Sequence, residues 1–267
     1  VRLGVHLPQF RKPVDGETLA AAARAAEEAG ADDLWVSDHL ILPAGSERPP
    51  ASFHDPLTVL TWAAASTRRA GLGTSVLVAP YRHPVVLAKA VASLDALSGG
   101  RVVLGLASGW HEGEFAALGV PFRERGRRTD ATIRVCRALW SGAGEFTWEG
   151  VRHDGLALLP APAQDGGPPV WVGGNSDAGI RRAVRLGDGW HTTIADAEHL
   201  PERVATLEAT LAEAGRARTG FALSVRVRAD HARMARVAPR LRDLGVDHVL
   251  VDPPVFDAGR FGEEVAA

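Results

Sequence analysis

The 267-residue chain alternates strand-like and helix-like stretches from end to end, and this limits the fold more than any other feature. A repeating strand–helix order is the signature of a parallel sheet covered by helices. Strands are predicted over 1–9, 32–40, 71–80, 102–107, 169–174, 187–193, 221–227 and 247–253. Helices are predicted over 19–29, closed by Gly30, and over 56–67. A third starts at Pro84 and ends at Gly99-Gly100, with Val86, Ala90, Leu94 and Leu97 lining one face at helical spacing. Others follow over 125–140 and 176–186, around Val204, Leu207 and Leu211, and up to Leu244. Eight strands in one βα series of this length point to a closed (β/α)8 TIM barrel, read as a single domain over 1–267. An insertion lies between strands four and five. It carries a Gly/Pro-rich stretch over 142–169 and a possible hairpin near 146–156. Little chain remains after Pro253-Pro254, so an abbreviated C-terminal helix is expected.

Composition narrows the function classes. Hydrophobic residues make up 46% of the chain, enough for a core. No apolar run approaches the roughly 20 residues of a membrane helix. The opening residues alternate like a strand and lack the basic-then-apolar form of a secretory signal. A lone cysteine, Cys136, excludes an internal disulfide and suits a reducing compartment, so a cytoplasmic protein is expected. A net charge of −2 gives no electrostatic case for nucleic acid.

In a (β/α)8 barrel the active site lies at the C-terminal strand ends. Here those ends read Ser37-Asp38-His39, Thr74-Ser75-Val76, Ala107-Ser108-Gly109-Trp110, Gly173-Gly174-Asn175-Ser176 and Trp190-His191-Thr192-Thr193. The run GGNS leads straight into a helix, whose free N–H groups and positive dipole end suit a phosphate. The plainer reading is that Asn175 or Ser176 only caps that helix. His39 is placed to exchange a proton near neutral pH, or else to bond a loop carbonyl while Asp38 caps a turn. Thr74-Ser75-Val76 carries no chemistry of its own, and Ser108-Gly109 leaves room for a flat ring. Trp110 can wall a pocket for an apolar substrate. The following HEGEF reads as the start of a short surface helix with a solvated acidic face, which leaves His111 and Glu112 unassigned. His83 reads as a helix cap, and His6 and His191 as buried, bonded strand residues.

Taken together, VSDHL (36–40), residues 72–110, FAALGVPFRER (115–125) and PVWVGGNSDAGIRRAVRLGDGW (169–190) resemble the luciferase-like superfamily of flavin- and deazaflavin-dependent oxidoreductases. The likeness covers most of 1–194 and is weak beyond about 195. The resemblance implies a flavin-type ring lying across the strand ends, with its phosphate at the helix that follows Gly174. It also implies a non-proline cis peptide at Ser75–Val76, bulging under the middle ring. In the deazaflavin-dependent sugar-phosphate dehydrogenases of the superfamily, the position of His39 is catalytic and that of Asp38 contacts the cofactor. So do the positions of Ser108, Gly109, Asn175, Ser176, Ala178 and Gly179. Those enzymes carry a glutamate where this chain has Trp110, which argues against sugar-phosphate oxidation and for an apolar or aromatic substrate.

The reading is thus an oxidoreductase that moves a hydride between bound coenzyme F420 and a small organic substrate, with FMN and a monooxygenase reaction as the alternative. His39 is the expected proton-transfer group. Asp38, Thr74, Ser75, Val76, Ser108, Gly109, Gly174, Asn175, Ser176, Ala178 and Gly179 are expected around the cofactor, and Trp110 and Thr193 around the substrate. No metal, nucleic acid or membrane partner is expected, and a homodimer is possible by analogy. Two rival classes are a metal-dependent hydrolase using His6, His39, His191 and Asp252, and a flavin-binding barrel without turnover.

Overall fold

The computed structural model describes residues 1–10, 14–47, 52–193 and 199–253. The first half runs β1 (Arg2–His6), α1 (Gly16–Glu28), β2 (Asp33–Val36), α2 (Pro56–Ser66), β3 (Gly71–Thr74), β4 (Leu77–Val78), α3 (Pro84–Ser98) and β5 (Val102–Ala107). An insertion follows with α4 (Glu112–Ala117), α5 (Arg125–Trp140) and an antiparallel hairpin of β6 (Phe146–Trp148) and β7 (Val151–His153). The series resumes with β8 (Val170–Gly173), α6 (Asp177–Leu186), β9 (Gly189–Thr193) and α7 (Leu200–Glu213). It ends with β10 (Ala222–Arg228), α8 (His231–Asp243) and β11 (His248–Asp252).

The parallel order β3-β2-β1-β11-β10-β9-β8-β5 closes on itself, because β5 also pairs with β3. The eight-stranded barrel is therefore complete, with β4 continuing the line of β3 beside β5. The abbreviated final helix falls in 254–267, outside the described residues. Among the described residues no helix is long and apolar enough to cross a membrane.

Three strands are shorter than their apolar runs suggest, and each break serves the mouth of the barrel. The first stops at His6, before Leu7-Pro8. The second stops at Val36, because the Ser37 N–H donates to the Gln9 side-chain oxygen at 2.6 Å instead of continuing a ladder. The third is split: the Ser75–Val76 peptide is cis, and Ala79–Tyr81 forms a 3-10 turn. Helix starts follow the capping chemistry of their sequences, with Asp15, Asp55, Ser176 and Asp230 accepting from N–H groups of the first turn. His83 caps α3 by accepting from Val85, and Gly99, at φ 73°, ends it in the left-handed region.

Outward strand residues such as Leu34, Val36, Leu72, Leu104 and Val172 are buried beneath the helices. The barrel interior is packed differently. Trp35 stacks on Trp171 and His191, and His248 packs tilted or edge-on against both indoles, with ring centroids 5.0–5.5 Å apart. Strand glycines make room for these rings. A Cβ at Gly4 would lie 2.6 Å from the Trp35 indole nitrogen, and one at Gly189 would lie 2.8 Å from Trp171. Burying rings of this size contributes on the order of 1.5–3 kcal/mol each.

Candidate active site

The strand ends converge on one cavity of about 780 Å³, inside the roughly 300–1,000 Å³ range of small-molecule sites. Its floor is built of small residues, two of them hydroxylated: Ser37, Ser75, Val76, Ala107 and Gly173. Asp38, His39, Ser108, Gly109 and Trp110 line it on one side, and Gly174, Asn175, Ser176, Ala178, Gly179 and Thr193 on the other. Gly174 and His39, far apart in sequence, thus share one opening. Thr74 does not line the cavity. Its hydroxyl donates to the Gly105 carbonyl at 2.7 Å, tying β3 to β5.

A buried polar network fixes the floor. Ser37 Oγ and His6 Nε2 lie 2.8 Å apart, as do Ser75 Oγ and His191 Nε2. Arg226 reaches across from β10, donating to Ser37 Oγ at 2.8 Å and to the Ser75 carbonyl at 3.0 Å while pairing with Asp252 at 2.8 Å. Burial, reinforced by His248 and Arg226, pushes the His191 imidazole well below its ordinary pKa, so it stays neutral. These histidines work as structural bonding groups. Among the described residues no group of three or more His, Cys, Asp or Glu side chains is arranged to hold a metal ion.

Asp38 and His39 diverge as neighbours at a strand end must. The Asp38 carboxylate is buried, 2.8 Å from the Val78 N–H and paired with Arg82 at 2.6 Å. Burial lifts its carboxyl above the ordinary range against the opposing pull of Arg82. His39 turns toward the cavity, with Trp110 and Phe53 edge-on to its ring at centroid distances of 6.0 and 5.1 Å. Its Nδ1 lies 2.7 Å from Glu114 Oε2.

Glu114 corrects the expected solvated acidic face. Helix α4 exists, and Glu112 is exposed, but Glu114 and Phe115 turn fully inward. The Glu114 carboxylate accepts from the Leu40 N–H at 2.6 Å and the Tyr81 hydroxyl at 3.0 Å. Burial opposes its ionisation, yet the bonds from Leu40, His39 and Tyr81 prevail and hold it below the ordinary glutamate range.

At the opposite side of the cavity α6 begins, with Gly174 at φ 129° ahead of it. Both sequence readings of GGNS have a structural counterpart. Ser176 caps the helix by accepting from Gly179, and Asn175 is tied to Thr192 and to the Thr193 carbonyl. The same turn still lines the cavity, and Arg123, Arg125 and Arg182 join it there. Arg182 is steadied by Asp130. A helix N-terminus and guanidinium groups lining one cavity suit an anion. Sequence reasoning named none of these arginines, nor Arg226. Arg226 was within reach of the strand-end rule, since it sits on the inward side near the end of β10. The insertion arginines come from a distant stretch whose route to the mouth carries no local signal.

Residues 3–250 match the family model described as luciferase-like monooxygenase. An uncharacterised protein of Mycobacterium tuberculosis is 34% identical over 245 residues, covering 86% of this chain and 82% of the relative. The F420-dependent hydroxymycolic acid dehydrogenase of the same organism is 39% identical over 186 residues, covering 68% of this chain and 49% of that enzyme. Among solved structures, an F420-dependent secondary alcohol dehydrogenase in complex with an F420-acetone adduct superposes with a TM-score of 0.83 at 17% identity, covering 99% of this chain and 97% of that one. The chain belongs to the luciferase-like monooxygenase family of oxidoreductases.

Proposed function

We propose that this protein binds coenzyme F420 at the barrel mouth and exchanges a hydride with a small apolar or aromatic organic substrate, using His39 for proton transfer. One observation carries the reading. The start of α6, a floor of small residues and a bonded histidine face one cavity. The residues fit the coenzyme in kind. Gly174 to Ser176 offer N–H donors for a phosphate, and Arg123, Arg125 and Arg182 bring positive charge to the same cavity. Ser75, Val76, Ala107 and Gly173 leave a flat bed for a fused ring system. When bound, the deazaflavin supplies the hydride chemistry; the protein supplies orientation and proton handling.

The chain's own part follows from its geometry. Trp110 is 63% exposed at the rim, and Leu40 and Ile41, which follow His39 in the chain, are exposed as well. A substrate that stacks on the indole is held against His39 and covers that apolar surface from water. His39 then holds or moves the proton that balances hydride transfer at an alcohol or carbonyl carbon. The F420-dependent dehydrogenase at 39% identity supports the deazaflavin over FMN.

Offering both coenzymes to the purified protein, and identifying the retained one by mass spectrometry after release, tests the choice. F420 is expected to be retained at stoichiometric level. Retention of FMN instead would favour the monooxygenase alternative, and retention of neither would remove the proposal.

A further inference from the structure

We propose that Glu114 is a positioning residue for His39, fixing the imidazole as its Nδ1–H tautomer so that a bare Nε2 faces the cavity. This rests on His39 being the proton-transfer group. The argument begins with the two oxygens of one fully buried carboxylate. Oε1 accepts from the backbone N–H of Leu40 at 2.6 Å and of Ile41 at 3.3 Å, fixing the chain just after His39. Oε2 accepts from the Tyr81 hydroxyl at 3.0 Å and lies 2.7 Å from His39 Nδ1. An ionised carboxylate only accepts hydrogen bonds, so the proton between it and the ring sits on Nδ1. A neutral His39 then keeps its lone pair on Nε2, ready to take a proton from a substrate hydroxyl.

The surroundings leave Glu114 little other choice. The titratable groups facing it are His39 from the end of the second strand, Tyr81 from the 3-10 turn and His111 from its own loop, whose Nδ1 is 3.9 Å away. Asp38 and Arg82 pair with each other beside the same turn. His111 Nδ1 is buried without a hydrogen-bond partner, so His39 holds the short bond. A carboxylate needed only to cap residues 40 and 41 could do so through Oε1 alone. The second oxygen serves the His39 ring, at the shorter distance, together with the Tyr81 hydroxyl. Trp110 and Glu114 stand on the same loop and helix after β5, so one segment both walls the substrate space and orients the histidine.

The test is a long-range 1H–15N correlation spectrum of histidine-labelled, coenzyme-free protein, recorded where imidazoles are neutral, with His39 assigned by its loss in His39→Ala. The wild-type protein is expected to show His39 as Nδ1–H. In Glu114→Gln the amide oxygen keeps the Leu40 and Ile41 bonds and the amide N–H₂ faces the ring, so His39 should switch to Nε2–H. In that variant kcat should fall about 10–100-fold, with substrate KM and coenzyme Kd unchanged. A wild-type His39 found as Nε2–H, or a Glu114→Gln protein that keeps Nδ1–H, overturns the proposal whatever the activity. Should the variant not fold, the wild-type spectrum alone decides. If instead His39→Ala retains full turnover, the proton-transfer reading fails while the tautomer assignment can still stand, so the two failures are distinguishable.

Discussion

Replacing His39 by Ala is expected to lower turnover about 10²–10⁴-fold, the usual loss when a positioned acid–base group is removed. The substrate would be the fastest found in a panel of apolar and aromatic alcohols and carbonyl compounds. Coenzyme affinity should be unchanged, because the start of α6 and the bed of Ser75, Val76, Ala107 and Gly173 come from other strands than His39. The separation is the informative part. A protein that merely stored the coenzyme would bind it in both forms and turn nothing over in either. A loss confined to kcat identifies the imidazole with the chemistry, and unchanged turnover removes His39 from it.

The second large effect is expected at Arg82. Its guanidinium pairs with the wholly buried Asp38 side chain at 2.6 Å and with Asp55, the cap of α2, at 2.8 Å. Arg82→Leu leaves Asp38 as a buried carboxylate without its counter-charge, which typically costs about 3–5 kcal/mol. For a chain of this size that corresponds to a fall in Tm of about 6–20 °C. The pH dependence follows from the direction of the Asp38 shift. Burial already lifts its carboxyl above the ordinary value, and removing Arg82 removes the main opposing influence. A group whose folded pKa is raised penalises the folded state once pH exceeds it, and the penalty disappears below the unfolded value. The deficit against wild type should thus grow as pH rises from about 4, the unfolded value, and disappear below it. Thermal unfolding at several pH values checks this. A pH-independent deficit would mean that lost packing, not the stranded charge, is responsible.

The fold was legible because its information is local. Each strand announces itself by an apolar run, each helix by spacing and caps, and barrel closure follows from their number and order. Legibility failed where long-range pairing decides. Glu114 sits in HEGEF, which reads as a solvated face, and only contact with the loop after β2 draws it inward. Its companion Tyr81, the one tyrosine in the chain, lay just past the strand predicted over 71–80, in a 3-10 turn that the apolar run does not announce. The strand-end rule selected nearly all the cavity-lining residues of the strand-two to strand-six segments. The rule also named Thr74, wrongly: its neighbour Ser75 takes the mouth position while Thr74 bonds between strands. Arg123, Arg125 and Arg182 reach the mouth from the insertion and from α6. Their sequence contains no periodicity that marks an anion site.

A crystal structure of the protein grown with F420 tests the central claim most directly. The account predicts the ring system on the bed formed by Ser75, Val76, Ala107 and Gly173, beside His39, with the phosphate bonded by N–H groups at the start of α6. A coenzyme found with its phosphate away from Gly174–Gly179, or with its ring outside the barrel mouth, would contradict it.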